Sequence, residues 1–214
     1  MHSTLSQKGS VARVSAVVLA AGASSRMGRA KQLLPLGGNT VLAQTLKNVR
    51  AARIDEMVLV LGASAAAIRQ QLPQSLLEGF KLVVNQDYGQ GMATSLHAGL
   101  SALDSRSDAA LIVLGDQPFI RPQTLNQIVT GYCRARASIV IPSYHGERGN
   151  PVLLDRSVFS EVMALEGDIG CRAIFGNHLG DLLKVEVEDP GVLLDIDDQG
   201  DYDRLKQLHD NSDR

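Results

Sequence analysis

Residues 17–31 read VVLAAGASSRMGRAK, and they contain the strongest structural signal in the chain. The apolar run Ala16–Ala20 predicts a short buried strand. Only small residues fill positions 21–25, and glycine and basic residues follow at Arg26, Gly28, Arg29 and Lys31. Backbone N–H groups free of bulky side chains can surround an anion, and basic side chains add full charges on the same side. We therefore predict a polyphosphate-binding loop at the end of a first strand.

The loop fits neither of the two common phosphate-binding patterns. A dinucleotide fingerprint needs G-x-G-x-x-G, whereas no glycine lies between Gly22 and Gly28. A Walker loop needs G-K after four variable positions, whereas Arg29 follows Gly28. Two tight turns at the glycines, with solvated charges around them, are the alternative that the loop leaves open.

Strands and helices alternate through the first half of the chain. Three more apolar runs predict strands at Met57–Leu61, Leu82–Val84 and Ala110–Leu114. A first helix is predicted after a cap at Asn39 or Thr40, and three more over Ser64–Leu72, Gly91–Leu103 and Pro122–Ala135. In the helix over Gly91–Leu103, the residues expected to face inward are Met92, Leu96, Leu100 and Leu103. Continuous apolar strands are typical of a parallel sheet covered on both faces. We expect a three-layer α/β/α domain with a Rossmann-like, mostly parallel sheet.

The second half is less regular. Ser138–Pro142 and Pro151–Leu154 predict a hairpin with a long tip. Three further helices are predicted over Ser157–Leu165, Ile169–His178 and Gln199–Leu208, and Asp168 is the predicted cap of the second. Two further strands are predicted over Leu182–Val187 and Val192–Leu194. Tyr202, Leu205 and Leu208 are expected to face inward from the last helix.

Length and composition exclude several classes of protein. The 214 residues suit one domain over 13–214, after an N-terminal tail over 1–12 that we expect to be loosely attached. A net charge of −2, 4% aromatic residues and no Trp argue against a nucleic-acid-binding face. No segment approaches the length of a membrane span, and the apolar run Val14–Ala23 is better explained as the strand and loop than as a secretory signal. Cys133 and Cys171 form no C-x-x-C motif, so we expect two buried free thiols in a cytoplasmic protein.

Carboxylates complete the predicted site. The carboxyl ends of parallel strands meet at one edge, which brings Gly22, Gly62, Asn85 and Asp116 together by inference. Asp116 follows a buried strand in G-D-Q-P, where it either accepts turn hydrogen bonds or binds Mg²⁺ opposite the basic loop. Asp195 and Asp197 alternate along an extended segment and can face the same side, while Asp198 can cap the last helix.

A longer pattern, L-A-A-G-x-S-x-R-M-G-x-x-K, runs from Leu19 to Lys31. It resembles the nucleotidyltransferases that complete molybdenum cofactors, and most closely the CTP:molybdopterin cytidylyltransferases. G-D-Q-P at 115–118 and D-I-D-x-x-x-D-Y at 195–202 also resemble that family. The resemblance spans residues 14–208 and implies the fold of the nucleotide-diphospho-sugar transferases.

The resemblance also implies an activity, which is Mg²⁺-dependent transfer of CMP from CTP to molybdenum-bound molybdopterin with release of pyrophosphate. It implies catalytic roles for Arg26, Lys31 and Asp116, with Mg²⁺ held by Asp116 and Asp197. The implied nucleotide-binding residues are Ala20, Ala21, Gly22, Arg26, Gly28, Lys31, Gly62, Asn85, Gly91, Met92 and Ser95. Residues 85–95, N-x-x-x-x-x-G-M-x-x-S, meet the nucleobase in this family, although the residues alone fit a helix cap nearly as well. The product would pass to a molybdoenzyme or its maturation chaperone.

Nucleotide choice and acceptor binding rest on single positions. Ala21 favours CTP, because guanylyltransferases of this superfamily tend to carry a second glycine there and a methyl group leaves less room for a purine. PSYHGERGNP at 142–151 resembles the family's hairpin, but Asn150 stands where histidine is usual. Arg172, in EGDIGCR, is predicted to meet the acceptor phosphate, or else to pair with Asp168 one helical turn away.

Two other functions remain open from the sequence. One is a guanylyl- or sugar-phosphate nucleotidyltransferase on the same scaffold. The other is a non-catalytic protein that binds the cofactor and delivers it. The presence of both Lys31 and Asp116 favours catalysis.

Overall fold

A computed structural model of the protein describes residues 12–24 and 27–212. Its strands are β1 (Val14–Ala20), β2 (Pro35–Leu36), β3 (Asn39–Thr40), β4 (Glu56–Leu61), β5 (Phe80–Val84), β6 (Ala109–Leu114), β7 (Ile139–Tyr144), β8 (Glu147–Arg148), β9 (Val152–Asp155) and β10 (Leu182–Glu186). Its α-helices are α1 (Val41–Arg50), α2 (Ala65–Gln71), α3 (Gln74–Leu77), α4 (Met92–Ser101), α5 (Pro122–Ala135), α6 (Phe159–Met163) and α7 (Gln199–Ser212). Short 3₁₀ segments cover Lys31–Leu33, Tyr88–Gln90, Arg156–Val158, Cys171–Asp181 and Pro190–Leu193.

One eight-stranded sheet organises the chain, in the order β10-β7-β9-β6-β1-β4-β5, with β8 paired to β7. Among the described residues of this sheet, every antiparallel pairing involves β8 or β9, so the prediction of a mostly parallel sheet is confirmed. β1 lies between β4 and β6, and Val17 pairs with both Val58 and Ile112. The chain order reverses at β1, and open α/β sheets bind ligands beyond the strand ends at such a reversal.

Two apolar layers bury the two faces of this sheet. Successive residues of β1 point to opposite faces, so Ala16 and Val18 join one buried cluster and Val17 joins the other. Helices α1, α2, α3 and α5 cover the first face. Helices α4 and α6 and the segment Cys171–Asp181 cover the second. The predicted three-layer α/β/α architecture is confirmed.

The second half differs from its prediction in three places. The predicted hairpin strands do pair, as Ile139 with Leu154, but β9 also pairs with β6 and fills the gap between β6 and β7. The predicted helix Ile169–His178 is wrong, because residues 171–181 form 3₁₀ turns with a break at His178. Glycines at 170, 176 and 180 disfavour a continuous α-helix there.

The predicted strand Val192–Leu194 is also wrong. Pro190–Leu193 is a 3₁₀ turn, since the buried Asp189 accepts a hydrogen bond from Gly191 N at 3.0 Å and proline starts the turn without needing a donor. Asp168 does not cap a helix of its own. Its Oδ1 lies 3.3 Å from Met92 N, at the start of α4.

Three burial predictions are wrong as well. Met92, expected to face inward, is 39% exposed, and Leu208 is 52% exposed. Cys133 is exposed on α5, whereas Cys171 is buried as predicted. Met92 is exposed because the first turn of α4 borders a cleft instead of the core.

Helix α7 packs against the segment that follows the β1 loop. Tyr202 and Leu205 pack with Leu34, Leu36 and Val41 in a third apolar cluster that also contains Ile196. The Tyr202 hydroxyl donates a 2.6 Å hydrogen bond to the carbonyl of Pro35. This packing holds residues 195–197 beside the segment that follows the β1 loop. Within the described ranges, no helix combines the length and the apolar character that crossing a bilayer requires.

Candidate active site

The loops after β1 and β6 emerge side by side, because those two strands are adjacent and parallel. Lys31 begins the 3₁₀ turn after the β1 loop, and Asp116 follows β6. The Lys31 ammonium lies 2.5 Å from Asp116 Oδ2 and 3.4 Å from Asp197 Oδ1. The structure therefore brings together three predicted site residues that are widely separated in sequence.

Acidic side chains outnumber basic ones around Lys31. The side chains of Lys31 and Asp116 are only 16% and 15% exposed. Burial alone would lower the pKa of Lys31, but the carboxylates of Asp116 and Asp197 raise it above its ordinary value. Burial raises the pKa of the nearby Asp195, and the charges of Asp197 and Asp116 raise it further. One lysine thus faces three acidic residues, an arrangement suited to a further cation.

Asp116 carries an unused ligand atom. Its Oδ1 is buried and has no hydrogen-bond partner among the described residues. An unpartnered buried carboxylate oxygen is rare and requires an explanation. Mg²⁺ typically takes one or two carboxylates and completes its shell with water and substrate phosphates. Within residues 12–24 and 27–212, no three His, Cys, Asp or Glu side chains are arranged so that they could hold a metal ion together.

A cleft of about 660 Å³ surrounds these charges, and it is large enough for a nucleotide. Eight of the predicted site residues line it: Ala21, Gly22, Lys31, Gly91, Met92, Ser95, Asp116 and Asp197. A more voluminous groove, about 1000 Å³, lies beside α1 and α3 and includes neither Lys31 nor Asp116. We assign the nucleotide to the smaller cleft because the converging charges lie there.

Other predicted residues lie behind or beside the cleft. Ala20 is buried, and a Cβ at Gly62 would lie 2.4 Å from the carbonyl oxygen of Ala21, so Gly62 lets the loop after β4 approach the loop after β1. Gly28 adopts φ +63° and is exposed. Arg26 falls outside the described residues. Asn150 and Arg172 line a neighbouring cleft.

The side chain of Asn85 is already occupied within the protein. Its Nδ2 donates to Thr94 Oγ1 at 2.8 Å and to Ser95 Oγ at 3.0 Å, and its Oδ1 accepts from Asp87 N at 2.9 Å. It is buried and joins the end of β5 to the start of α4. In this arrangement Asn85 shapes the loop that borders the cleft. Contact between its amide and a nucleobase stays a prediction.

Two polar residues of the cleft wall were not predicted to lie there. Gln32 is 2% exposed, and its Nε2 donates to the carbonyl of Gly22 at 3.1 Å, which pins the β1 loop from inside. Asp168 lines the same cleft from the second half of the chain. A polar Gln directly after Lys31 and before an apolar pair was the available signal for the first. Nothing local pointed to the second, because its partner Met92 is far away in sequence.

Comparison with known proteins agrees with this geometry. Residues 16–182 match the MobA-like NTP transferase domain. The chain belongs to the MobA-like NTP transferase family. This is a family of nucleotidyltransferases, and its fold is the one described above.

Three curated relatives are similar over nearly their whole length. The purine catabolism protein PucB of Bacillus subtilis is 30% identical, over 89% of this chain and 95% of that protein. Nicotine blue oxidoreductase of Paenarthrobacter nicotinovorans is 31% identical, over 87% and 94%. The molybdenum cofactor cytidylyltransferase of Escherichia coli is 24% identical, over 92% and 97%.

A solved structure confirms the fold at higher identity. Rv0371c from Mycobacterium tuberculosis H37Rv is 36% identical and superposes with a TM-score of 0.82, over 92% of this chain and 100% of that one. Its complex with manganese superposes with a TM-score of 0.79 at 34% identity, over 91% and 98%. A divalent metal therefore binds a relative of this chain.

Proposed function

We propose that this MobA-like NTP transferase is a Mg²⁺-dependent cytidylyltransferase that joins CMP from CTP to the phosphate of molybdenum-bound molybdopterin. The observation that carries the proposal is the convergence of Lys31, Asp116 and Asp197 in one nucleotide-sized cleft. The name of the Escherichia coli relative supports the choice of acceptor. Asp116 and Asp197 would hold Mg²⁺, and the orphaned Oδ1 of Asp116 fits that role.

The chain's own residues account for the binding of the triphosphate. Lys31 would exchange its carboxylate partners for phosphate oxygens, and Arg26 would add a second charge from the same loop. Mg²⁺, when bound, would neutralise charge that develops on the transferring phosphate. An acceptor phosphate oxygen then attacks the α-phosphorus in line, a new P–O bond forms, and pyrophosphate leaves with the electron pair of the broken bond. The protein contributes positioning and charge neutralisation.

Ala21 supports CTP over GTP. Ala21 lines the nucleotide cleft, and the residue is only 4% exposed. Gly62 packs directly behind its backbone, as the 2.4 Å approach of a hypothetical Gly62 Cβ to the Ala21 carbonyl indicates. Ala21 therefore has no room to withdraw, and a larger purine base would meet it. Gly91, Met92 and Ser95 also line this cleft.

Asn150 and Arg172 are the proposed acceptor contacts, and both line the cleft next to the nucleotide cleft. Arg172 forms no ion pair with Asp168, whose carboxylate contacts Met92 N instead. We place the reaction in the cytoplasm, with a molybdoenzyme or its maturation chaperone receiving the product.

Pyrophosphate release tests the proposal directly. Purified protein is incubated with Mg²⁺ and CTP, GTP, ATP or UTP at equal concentrations, with and without isolated molybdenum cofactor. We expect release that depends on the cofactor and is fastest with CTP. Faster turnover with GTP would reverse the nucleotide assignment, and release with a sugar phosphate in place of the cofactor would reverse the acceptor assignment. Absence of release under all conditions would leave a binding protein.

A further inference from the structure

A second cleft, about 270 Å³ in volume, opens directly beside the nucleotide cleft. The two clefts share Leu19, Met92 and Leu114 as common walls. Leu114 ends β6, two residues before Asp116. A group bound in the second cleft therefore lies next to the proposed metal site. Most of its wall is apolar, formed by side chains such as Leu96, Ile112 and Phe175.

Two arginines enter this cleft from different elements. Arg148 lies on β8, and Arg172 lies in the 3₁₀ segment Cys171–Asp181. The Arg148 guanidinium stacks over the ring of Phe175, with its central carbon 5.1 Å from the ring centroid. Burial lowers the pKa of Arg148, and the positive charge of Arg172 lowers it further. Both guanidinium groups thus bring positive charge to the same cleft.

Neither charge has an ion-pair partner within the part of the chain that the structure describes. Across residues 12–24 and 27–212, no carboxylate comes within 4 Å of either guanidinium. Other arginines do find partners, such as Arg106 with Asp104 at 2.7 Å and Arg204 with Asp201 at 3.0 Å. Two like charges that line one partly apolar cleft without a counter-ion are complementary to an anion with an apolar body.

We propose that Arg148, acting with Arg172, forms an anion subsite that holds the phosphate of the acceptor beside the nucleotide. The inference rests on the proposed function, because only that function identifies the bound anion as the acceptor. It specifies the acceptor as a phosphate monoester on a compact group that contains a flat ring, because the cleft is small and Phe175 presents a ring next to Arg148. The β7–β8 hairpin thereby carries a binding residue, two positions before Asn150.

Phenyl phosphate is a suitable probe, since it combines a phosphate monoester with a flat apolar ring. Its binding is measured by calorimetry on the full chain with Mg²⁺ and saturating α,β-methylene CTP, so that the nucleotide cleft is filled. We expect Arg148→Gln and Arg172→Gln each to weaken phenyl phosphate binding about tenfold or more, because each removes a charge-assisted contact. The affinity for the CTP analogue should change less than about twofold, and Arg148→Lys should restore part of the loss.

The matched control is Arg134→Gln, on an exposed position of α5. It should bind phenyl phosphate like the unaltered protein. Equal binding by the control and both cleft variants would overturn the proposal. So would an absence of binding to the unaltered protein, or binding that appears only when the nucleotide cleft is empty and disappears in Lys31→Ala.

This test separates the inference from the proposed function. If both arginines are needed for phenyl phosphate but no CMP is transferred to molybdenum cofactor, the anion subsite stands and the assigned acceptor is wrong. If CMP transfer occurs while the arginine variants bind and turn over acceptor normally, the activity stands and the subsite is wrong.

Discussion

The two clefts that meet at Leu114 handle charge in opposite ways. In the nucleotide cleft, Lys31 is paired with Asp116 and Asp197, and the loops come from the ends of parallel strands. In the second cleft, Arg148 and Arg172 come from a short strand and a 3₁₀ segment, and neither forms an ion pair among the described residues. The first cleft is preorganised by its own ion pairs. In the second, Arg148 is half-buried and Arg172 is exposed, so both charges are open to a ligand, and this difference suits one site for nucleotide and metal and another for an anionic acceptor.

The largest effect should follow from Asp116→Ala. The substitution removes the carboxylate that contacts Lys31 and carries the unpartnered Oδ1. We expect turnover to fall about 10²- to 10³-fold, because charge stabilisation at the transferring phosphate is lost. The steady-state rate of pyrophosphate release measures this loss, and Asp203→Ala, at an exposed position of α7, is the control. Near-normal turnover in a folded Asp116→Ala protein would show that the reaction does not take place in the nucleotide cleft.

Lys31→Ala and Asn85→Ala should separate phosphate binding from loop shaping. Lys31→Ala leaves three acidic residues facing the triphosphate, so KM for CTP should rise about tenfold or more. Asn85→Ala removes three internal hydrogen bonds and should chiefly lower the free energy of unfolding, by about 1–3 kcal/mol in urea titrations. Equal increases of KM in both variants would contradict this division within the nucleotide cleft.

Two glycines with positive φ test the close contact between Gly91, at the start of α4, and Gly167. A Cβ at Gly91 (φ +114°) would lie 2.2 Å from the backbone carbon of Gly167, whereas a Cβ at Gly28 (φ +63°) would meet nothing within 4 Å. Gly28→Ala should therefore show only the conformational penalty, about 1 kcal/mol. Gly91→Ala must also separate two backbones and should lose about 3 kcal/mol or more. Thermal unfolding of the two variants measures the difference, and similar shifts in Tm would argue against a tight junction.

The smallest effect should come from Tyr202→Phe. This change removes only the hydroxyl that donates to the Pro35 carbonyl and leaves the ring in its apolar cluster. We expect a loss of about 1 kcal/mol in the free energy of unfolding and a modest rise in KM for CTP. Gln207→Ala, at an exposed position of α7, serves as the control. A change in acceptor binding without a change in CTP binding would show that α7 supports the second cleft instead of the first.

Local patterns were informative where the structure is local. The apolar runs of the four first parallel strands were recognised within a few residues, because a strand buried on both faces needs a continuous apolar sequence. The 3₁₀ segment at 171–181 and the turn at 190–193 were missed, since glycine, proline and the capping Asp189 there compete with the apolar periodicity. Met92 was misplaced because its periodicity matches a core position while its turn of helix borders a cleft.

What the sequence by itself determined is the strand, the small-residue loop with Lys31, and Asp116 at the end of another buried strand. Each depends on neighbours close in the chain, so residue type and spacing suffice. The tertiary structure alone decided that β6 lies beside β1, that α7 returns Asp197 to Lys31, and that Arg148 and Arg172 face one cleft. Those arrangements depend on strand order and on packing summed over the whole core, and no short stretch of residues contains that information.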